Sequence, residues 1–515
     1  MELIMKLDYK KTILVGFAFF LISAFWQAYD AIIPLALTNH FGLPQTISGV
    51  VMSVDNVLAV FMLPLFGAIS DKVMTRFGRR TPFVVIGTVA AILSFILLSV
   101  VNGIQINALA DSGIVNEYNE AAAIFKSTVA DLEAKLASGE ITDAVCASGI
   151  STAEAAFDKV KETLRADALD LTLSNAWPLV GFIGVLLLVL IAMATFRSPA
   201  VALMPDVTVK PLRSKANAII NLMGTAGGII ILAFSSVFGI SGNPYMSYNG
   251  YVIATCLVML VGLVVFVTTV KEKRWADEME LATKELGLEE PVAEAKSENS
   301  QSRILDRAEM KSLLLILASV ALWYIGYNSI TSKYSVYSTN VLGVDYGLTL
   351  IVAQGAAIIS YIPVGIIASK LGRRKTILAG ITMLTTAFFI GNFIGAGAKT
   401  LVMYPIFALA GIGWATINVN SFPMVVELAK GGDVGKYTGY YYTASMAAQI
   451  VAPILSGALY DLFDIFTGGS GMRVVFFAFG TLFVAFSFVT MFFVKHGDAK
   501  PERKGALESI GEADD

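Results

Sequence analysis

Four ionisable side chains stand inside long apolar stretches of this chain: Asp30, Asp55, Arg197 and Lys333. A charge in hydrocarbon is costly unless it is paired or faces water, so each is a functional candidate. Polar and aromatic residues gather near them. Trp26, Gln27 and Tyr29 flank Asp30, and Asn56 adjoins Asp55. Trp323, Tyr324, Tyr327, Asn328 and Ser332 precede Lys333, and another stretch carries Trp414, Thr416, Asn418 and Asn420. Trp26 and Asp30, four apart, share one helix face. Aromatic rings can lie against the apolar faces of a sugar while amides and hydroxyls bond its oxygens. The same rings also serve in packing, and the same amides in interhelical hydrogen bonds. The set as a whole, including Arg197, favours a polar ligand.

The charges could also move a proton. Counting at 1.5 Å per residue, Asp30 and Asp55 lie roughly 10–14 Å below the outer boundary of their helices. Lys333 is at a similar level, and Arg197 is in the inner half. The expectation is an outer-half cavity in which Asp30 and Asp55 face Lys333 across an interface. Separating them would change proton affinity with conformation, as coupling requires. A static ion pair holding an outer gate is the other reading.

These residues need helices in a membrane to position them. Of 515 residues, 56% are hydrophobic and only 15% charged, which excludes an ordinary soluble domain. A bilayer core takes roughly 20 apolar residues per helix. Twelve such stretches are expected, near 12–37, 46–70, 81–101, 176–204, 215–238 and 250–270, then 312–339, 348–369, 376–395, 400–428, 437–462 and 472–494. Short alternating segments, the mark of a β-barrel, do not occur. With the N-terminus inside, the inner loops hold 28 of the 37 Lys and Arg residues, so both termini are expected in the cytoplasm. The basic start runs into a full-length span and reads as a retained first helix. Cys146 and Cys256 are not expected to pair, His40 and His496 are isolated, and no metal-ligand spacing occurs.

The spans divide into 1–270, a six-helix bundle, and 312–494, a second one, with a charged linker at 271–311 and a tail at 495–515. An acidic insertion, 102–174, is expected as an extracytoplasmic helical hairpin above the first bundle. Ile124, Val129, Leu132 and Leu136 would form one apolar face, and Phe157, Val160, Leu164 and Leu169 another. The halves repeat: Gly67-Ala-Ile-Ser-Asp71-Lys72 with Phe77-Gly78-Arg79-Arg80 is echoed by Gly365-Ile-Ile-Ala-Ser369-Lys370-Leu371-Gly372-Arg373-Arg374. A looser match relates Ser198-Pro199, Asp206 and on to Asn217 with Ser421, Glu427 and on to Gly439. Asp71, Arg79, Arg80, Arg373 and Arg374 are candidates for a cytoplasmic gate, closed by ion pairs and helix-end charges. Gly224-Thr-Ala-Gly227-Gly228 lacks the Lys-Ser or Lys-Thr of a phosphate loop, and close helix packing accounts for it.

The loop at 67–80 resembles that between helices two and three of major facilitator superfamily transporters. Asp71-Lys-Val-Met-Thr-Arg-Phe-Gly-Arg-Arg-Thr-Pro-Phe83 resembles the loop of sucrose–proton symporters, a group near the glycoside–pentoside–hexuronide:cation symporters. Arg197-Ser-Pro199 through Asp206, with Arg213-Ser-Lys-Ala-Asn217, resembles their helix four–five region. The resemblance implies two parallel six-helix repeats with a midplane site, and proton-driven import of a glucoside or a disaccharide such as sucrose or maltose. In the melibiose-type branch two acids four apart precede this loop; Ala59 and Leu63 stand there, which favours protons over sodium. His40 lies where the plant branch has a loop histidine associated with sucrose transport.

The expected protein is thus an all-α, multi-pass cell-membrane importer, monomeric, with a proton as coupling ion and no other cofactor, metal or nucleic-acid partner. A proton-coupled exporter of drugs or metabolites, or a non-transporting receptor, are the alternatives. Helix five lacks proline, against the Gly-Pro signature many exporters carry. No nucleophile–base set suggests an enzyme.

Overall fold

A computed structural model describes residues 7–209, 212–285, 306–395, 400–428 and 434–496. It is helical throughout, and among the described residues an isolated bridge, Thr75–Gly78, is the one β feature. The first group of helices comprises α1 (Tyr9–Leu35), α2 (Gln45–Lys72), α3 (Thr81–Asp111), α6 (Trp177–Asp206), α7 (Arg213–Val237) and α8 (Asn249–Thr269). Between α3 and α6 stand α4 (Ile114–Ala137) and α5 (Asp143–Ser174). A linker helix, α9 (Glu272–Glu285), precedes the second group: α10 (Arg307–Thr331), the short α11 (Tyr334–Tyr337), α12 (Tyr346–Leu371), α13 (Arg373–Gly391), α14 (Thr400–Val426), α15 (Val434–Thr467) and α16 (Gly471–Phe492). Ten described helices are long and apolar enough to cross a membrane. Of the twelve expected, α12 and α13 are the other two, packed against α14. The expected tail at 495–515 falls outside the described residues beyond His496, as does much of the linker.

Local chemistry sets the helix ends. The Asp8 carboxylate accepts from Lys11 N at 3.0 Å and caps α1. Asp306 and Glu309 form a capping box at the start of α10. Two expected helices are less regular than their hydropathy suggests. After α1, Ala36–His40 continue as a π-helical turn. The seventh stretch, expected as one helix over 312–339, breaks at Ser332–Lys333, where Lys333 has φ −125° and ψ 2°. A further π turn, Ser338–Leu342, follows α11.

Within the first group α1 packs on α7 and α8, and α3 packs on α6 and α8; within the second, α10 packs on α15 and α16. Between groups, α2 meets α15 and α7 meets α12. The α2–α15 crossing is tight: a Cβ on Gly49 would lie 2.1 Å from the Pro453 carbonyl oxygen, and one on Gly457 2.4 Å from that of Gln45. Only glycine lets the two backbones approach this closely. Both contacts lie at the end of the molecule that carries the insertion. At the opposite end, which carries the 73–80 loop, the described ion pairs join residues of the same group. Among the described residues, the hydrogen bonds and ion pairs between the groups lie toward the insertion end, and none joins them at the loop end.

The insertion is a helical hairpin, as expected, but its placement differs. Its apolar face packs on the first group through Leu164, Ala168, Tyr118, Leu109 and Tyr245. Phe125 stacks on Phe157 at 5.2 Å, whereas Ile124, expected on the apolar face, is 60% exposed. The other expected apolar positions hold: Phe157, Val160 and Leu164 pack together, and Leu132 lies against Gly149. The neighbouring, charged face of α5 reaches the second group rather than standing only above the first.

Candidate functional site

The four intramembrane charges fall into two places. Asp30 on α1 and Asp55 on α2 lie within electrostatic reach of each other, and Asp55 is within reach of Arg197 on α6. Asp55 Oδ1 accepts from Asn56 Nδ2 at 2.8 Å. The Arg197 guanidinium lies over the Trp26 ring, 5.4 Å from its centroid, a cation–π contact that gains from desolvation. A helical side chain leans toward the N-terminus of its own helix. Arg197 therefore reaches from the lower half of α6 back toward the insertion end, where Asp55 lies.

Lys333 is elsewhere, which corrects the expected pairing with Asp30 and Asp55. It is fully buried, and its Nζ donates to Ser48 Oγ at 2.6 Å and to Gln45 Oε1 at 3.1 Å. The Asp461 carboxylate, on α15, accepts from the backbone N–H groups of Gln45 at 2.8 Å and Thr46 at 2.7 Å. Lys333 and Asp461 together clamp the N-terminus of α2, a position where a carboxylate is favoured by the helix dipole. Seven residues separate Ser48 from Asp55, about 10 Å of helix. The break after α10 accounts for the change, because Lys333 no longer follows the direction of that helix.

Polar contacts cross the interface beside Asp30. Gln27 Nε2 donates to the Tyr346 hydroxyl at 3.2 Å, and Gln354 Nε2 donates to Gln27 Oε1 at 2.9 Å. The Asp30 backbone carbonyl accepts from Ser335 Oγ at 3.0 Å. In the second group, Tyr327 stacks on Trp414 at 5.9 Å, Tyr361 meets Trp414 edge-on at 6.4 Å, and Trp323 lies 4.0 Å from Tyr324. Among the described residues, the buried donors Trp26 Nε1 and the Tyr29 hydroxyl have no hydrogen-bond partner. Asn328 is less available: its Nδ2 donates to the Tyr324 carbonyl one turn back at 2.8 Å. Asn418 lies on α14, four residues after Trp414 and on the same helix face. Tyr346, Gln354 and Tyr361 were not singled out in the sequence. A lone glutamine in an apolar run is the signal that could have marked Gln354.

At the loop end, Arg80 is the hub. Its guanidinium donates to Asp206 Oδ2 at 2.8 Å, to Asp71 Oδ1 at 2.5 Å and to Ser70 Oγ. Burial works against its charge, but the hydrogen bonds and charges of Asp206 and Asp71 outweigh it and hold the guanidinium above its ordinary value. Arg79 lies 3.4 Å from Asp206. The internal repeat reappears here: Arg373, at the place of Arg79, pairs with Glu427, at the place of Asp206. Arg374 donates to the Phe492 carbonyl and lies over the Phe492 ring.

Glu272, on the linker helix, was not foreseen. Its carboxylate accepts from the backbone N–H groups of Arg79, Arg80 and Thr81 at 2.6, 2.8 and 2.7 Å, and from the Thr81 hydroxyl at 2.7 Å. It thus caps α3 across nearly 200 residues of sequence, which no local pattern reveals. Lys11, bonded to Glu278 and 5.7 Å from the Trp275 ring, holds the same linker helix to α1.

His40 is not a loop residue. It is fully buried, stacked on Tyr248 at 4.9 Å, with its ring nitrogens 2.9 Å from Asn102 Oδ1 and 3.1 Å from the Pro244 carbonyl. That makes it a packing element between α1 and its neighbours. Cys146 and Cys256 are both free and buried.

Residues 168–429 and 345–512 match the family model described as Major Facilitator Superfamily, and 14–107 match one described as MFS/sugar transport protein. A 74-residue stretch is 39% identical to proton-associated sugar transporter A of Mus musculus, covering 14% of this chain and 10% of that protein. A 108-residue stretch is 30% identical to the MFS-type transporter ppzB of Metarhizium rileyi, covering 21% and 22%. The chain therefore spans only a small part of these relatives in alignment. The fold is similar over nearly the whole chain to the xylose transporter XylE from E. coli in its inward open conformation (TM-score 0.56, 13% identity, 98% and 99% covered). It is also similar to a bacterial homologue of the human drug peptide transporters (TM-score 0.57, 12% identity, 94% and 97% covered). With a family match over more than half its length and this fold, the chain is a multi-pass membrane protein and belongs to the Major Facilitator Superfamily.

Proposed function

We propose that this protein imports a sugar, a glucoside or a disaccharide such as sucrose or maltose, by proton symport through alternating access. One observation carries the reading: the half-buried Asp30–Asp55–Arg197 cluster stands beside Trp26 and the Gln27–Gln354–Tyr346 contacts, facing the Tyr327–Trp414 stack. The match of 14–107 to a sugar transport family, and a relative named as a proton-associated sugar transporter, support the substrate class. The sucrose-type loop motif at 71–83 supports the disaccharide.

In the proposed cycle the loop end is cytoplasmic, and the described conformation releases sugar to that side. Asp55 holds Arg197 when ionised. A proton on the Asp30–Asp55 pair removes the charge that holds Arg197 and lets the guanidinium turn from Asp55 toward sugar hydroxyls. Trp26, Tyr327 and Trp414 supply apolar faces for the sugar ring, with Gln27, Tyr29, Asn56, Tyr324, Asn328 and Asn418 as the polar lining. Sugar and proton thus favour the same rearrangement, which is the thermodynamic requirement for coupling. Asp71, Arg79, Arg80, Arg373 and Arg374 would close the cytoplasmic end in the opposite state, Lys333 and Asp461 the outer end in this one.

Uptake of labelled sucrose and maltose into proteoliposomes tests the reading. With an inward proton gradient the intact protein is expected to accumulate one of them, and Asp55→Asn to exchange it without accumulating it. Absence of uptake under any gradient would refute the disaccharide assignment and favour the exporter.

A further inference from the structure

The insertion carries charges at Glu154, Asp158, Lys161, Glu162 and Arg165, spacings that put them on one face of α5. Every one of them meets the second group. Arg473, at the start of α16, pairs with Glu154 and lies 3.9 Å from Asp158. Lys161 Nζ donates to the Asn340 carbonyl at 2.7 Å. Arg165 lies 4.0 Å from Asp464, and the Glu162 carboxylate rests on Gly469, where a Cβ would come within 2.4 Å of it. An adjacent, apolar face of the hairpin, about a quarter turn away on α5, is fixed to the first group through Leu164, Ala168 and Tyr118. A cleft of about 390 Å³ lies beneath, bounded by Gln45, Asn340 and Asp461 among others.

We infer that the insertion is an electrostatic clasp: carried by the first group, it latches onto the second and holds the insertion end shut. The two halves of the hairpin differ in kind, which is the core of the argument. Its apolar face is a permanent anchor, because leaving it would expose packed side chains to water. Its charged face makes ion pairs that are partly solvated, individually weak and reversible. A helix built this way moves with the first group and lets go of the second. Opening at the insertion end must break the whole row, since α5 crosses the line along which the groups part. The latch therefore sets the balance between the two open states, and rising salt on that side weakens it. The inference rests on the alternating-access part of the proposed function and is independent of the sugar.

Distances between spin labels test it. Labels at Leu173→Cys on α5 and Phe466→Cys at the end of α15, both well exposed, report the separation of the groups at this end. Cys146 and Cys256 are replaced by serine in the full-length protein in nanodiscs. Arg473→Gln and, separately, Asp158→Asn with Lys161→Gln are each expected to raise the long-distance population about threefold, as is high salt on the intact protein. Unchanged distributions in both variants would overturn the clasp. The measurement needs no substrate, so failure of the sugar assignment would leave its result standing.

Discussion

The intramembrane charges do different work, and substitution should separate them. Arg197 stands with Asp55 and Trp26, so Arg197→Gln is expected to slow uptake at least tenfold, about 1.4 kcal/mol of transition-state free energy. It should leave thermal stability nearly unchanged. Lys333→Met is expected to do the reverse. It leaves Ser48 and Gln45 without their buried donor at a cost of about 1–3 kcal/mol, visible as a lower Tm, while sugar-dependent proton movement persists. Equal loss of transport in both variants would contradict this division. The candidates were legible in the sequence because a charge in an apolar run stands out. Their pairing was not. Arg197 is some 140 residues from Asp55, and its level on α6 alone puts it in the other half of the membrane. Only the reach of its side chain along the helix brings the two together. Lys333 failed in the opposite sense, since the break after α10 cannot be read from a continuous apolar stretch.

Helix ends and crossings carry the next set of consequences. Glu272 supplies the first turn of α3 with a charged acceptor for three backbone N–H groups. Glu272→Gln keeps the shape and removes the charge, and is expected to cost about 1–2 kcal/mol of stability, read as a reduced Tm with the linker helix loosened. The α2–α15 crossing is set by Gly49 and Gly457. Gly49→Val puts carbon into the Pro453 carbonyl and is expected to prevent closure of the insertion end. The label pair at Leu173 and Phe466 should then show only the longer distance. Helix positions were largely legible, because a membrane core demands roughly 20 apolar residues wherever the chain crosses. Faces were harder. In the insertion, Ile124 and Phe125 are adjacent apolar residues, and packing against Phe157 chose the second. Capping of α3 by Glu272 lies beyond any local pattern.

Across the whole molecule, two groups of helices meet at one end through clamp, glycine crossing and clasp, while among the described residues of the other end Arg80 and Arg373 pair within their own groups. The repeat Gly67–Arg80 and Gly365–Arg374 foreshadowed this symmetry, and the paired Asp206 and Glu427 complete it. The state of the molecule was not legible: one sequence serves both open forms, and only contact between groups distinguishes them. A protein built this way should move a sugar and a proton together. The most direct test adds sucrose or maltose to proteoliposomes with no imposed gradient and follows internal pH. The account predicts acidification on addition of the transported sugar, abolished by Asp55→Asn. Sugar entry with no change of internal pH in the intact protein would contradict it.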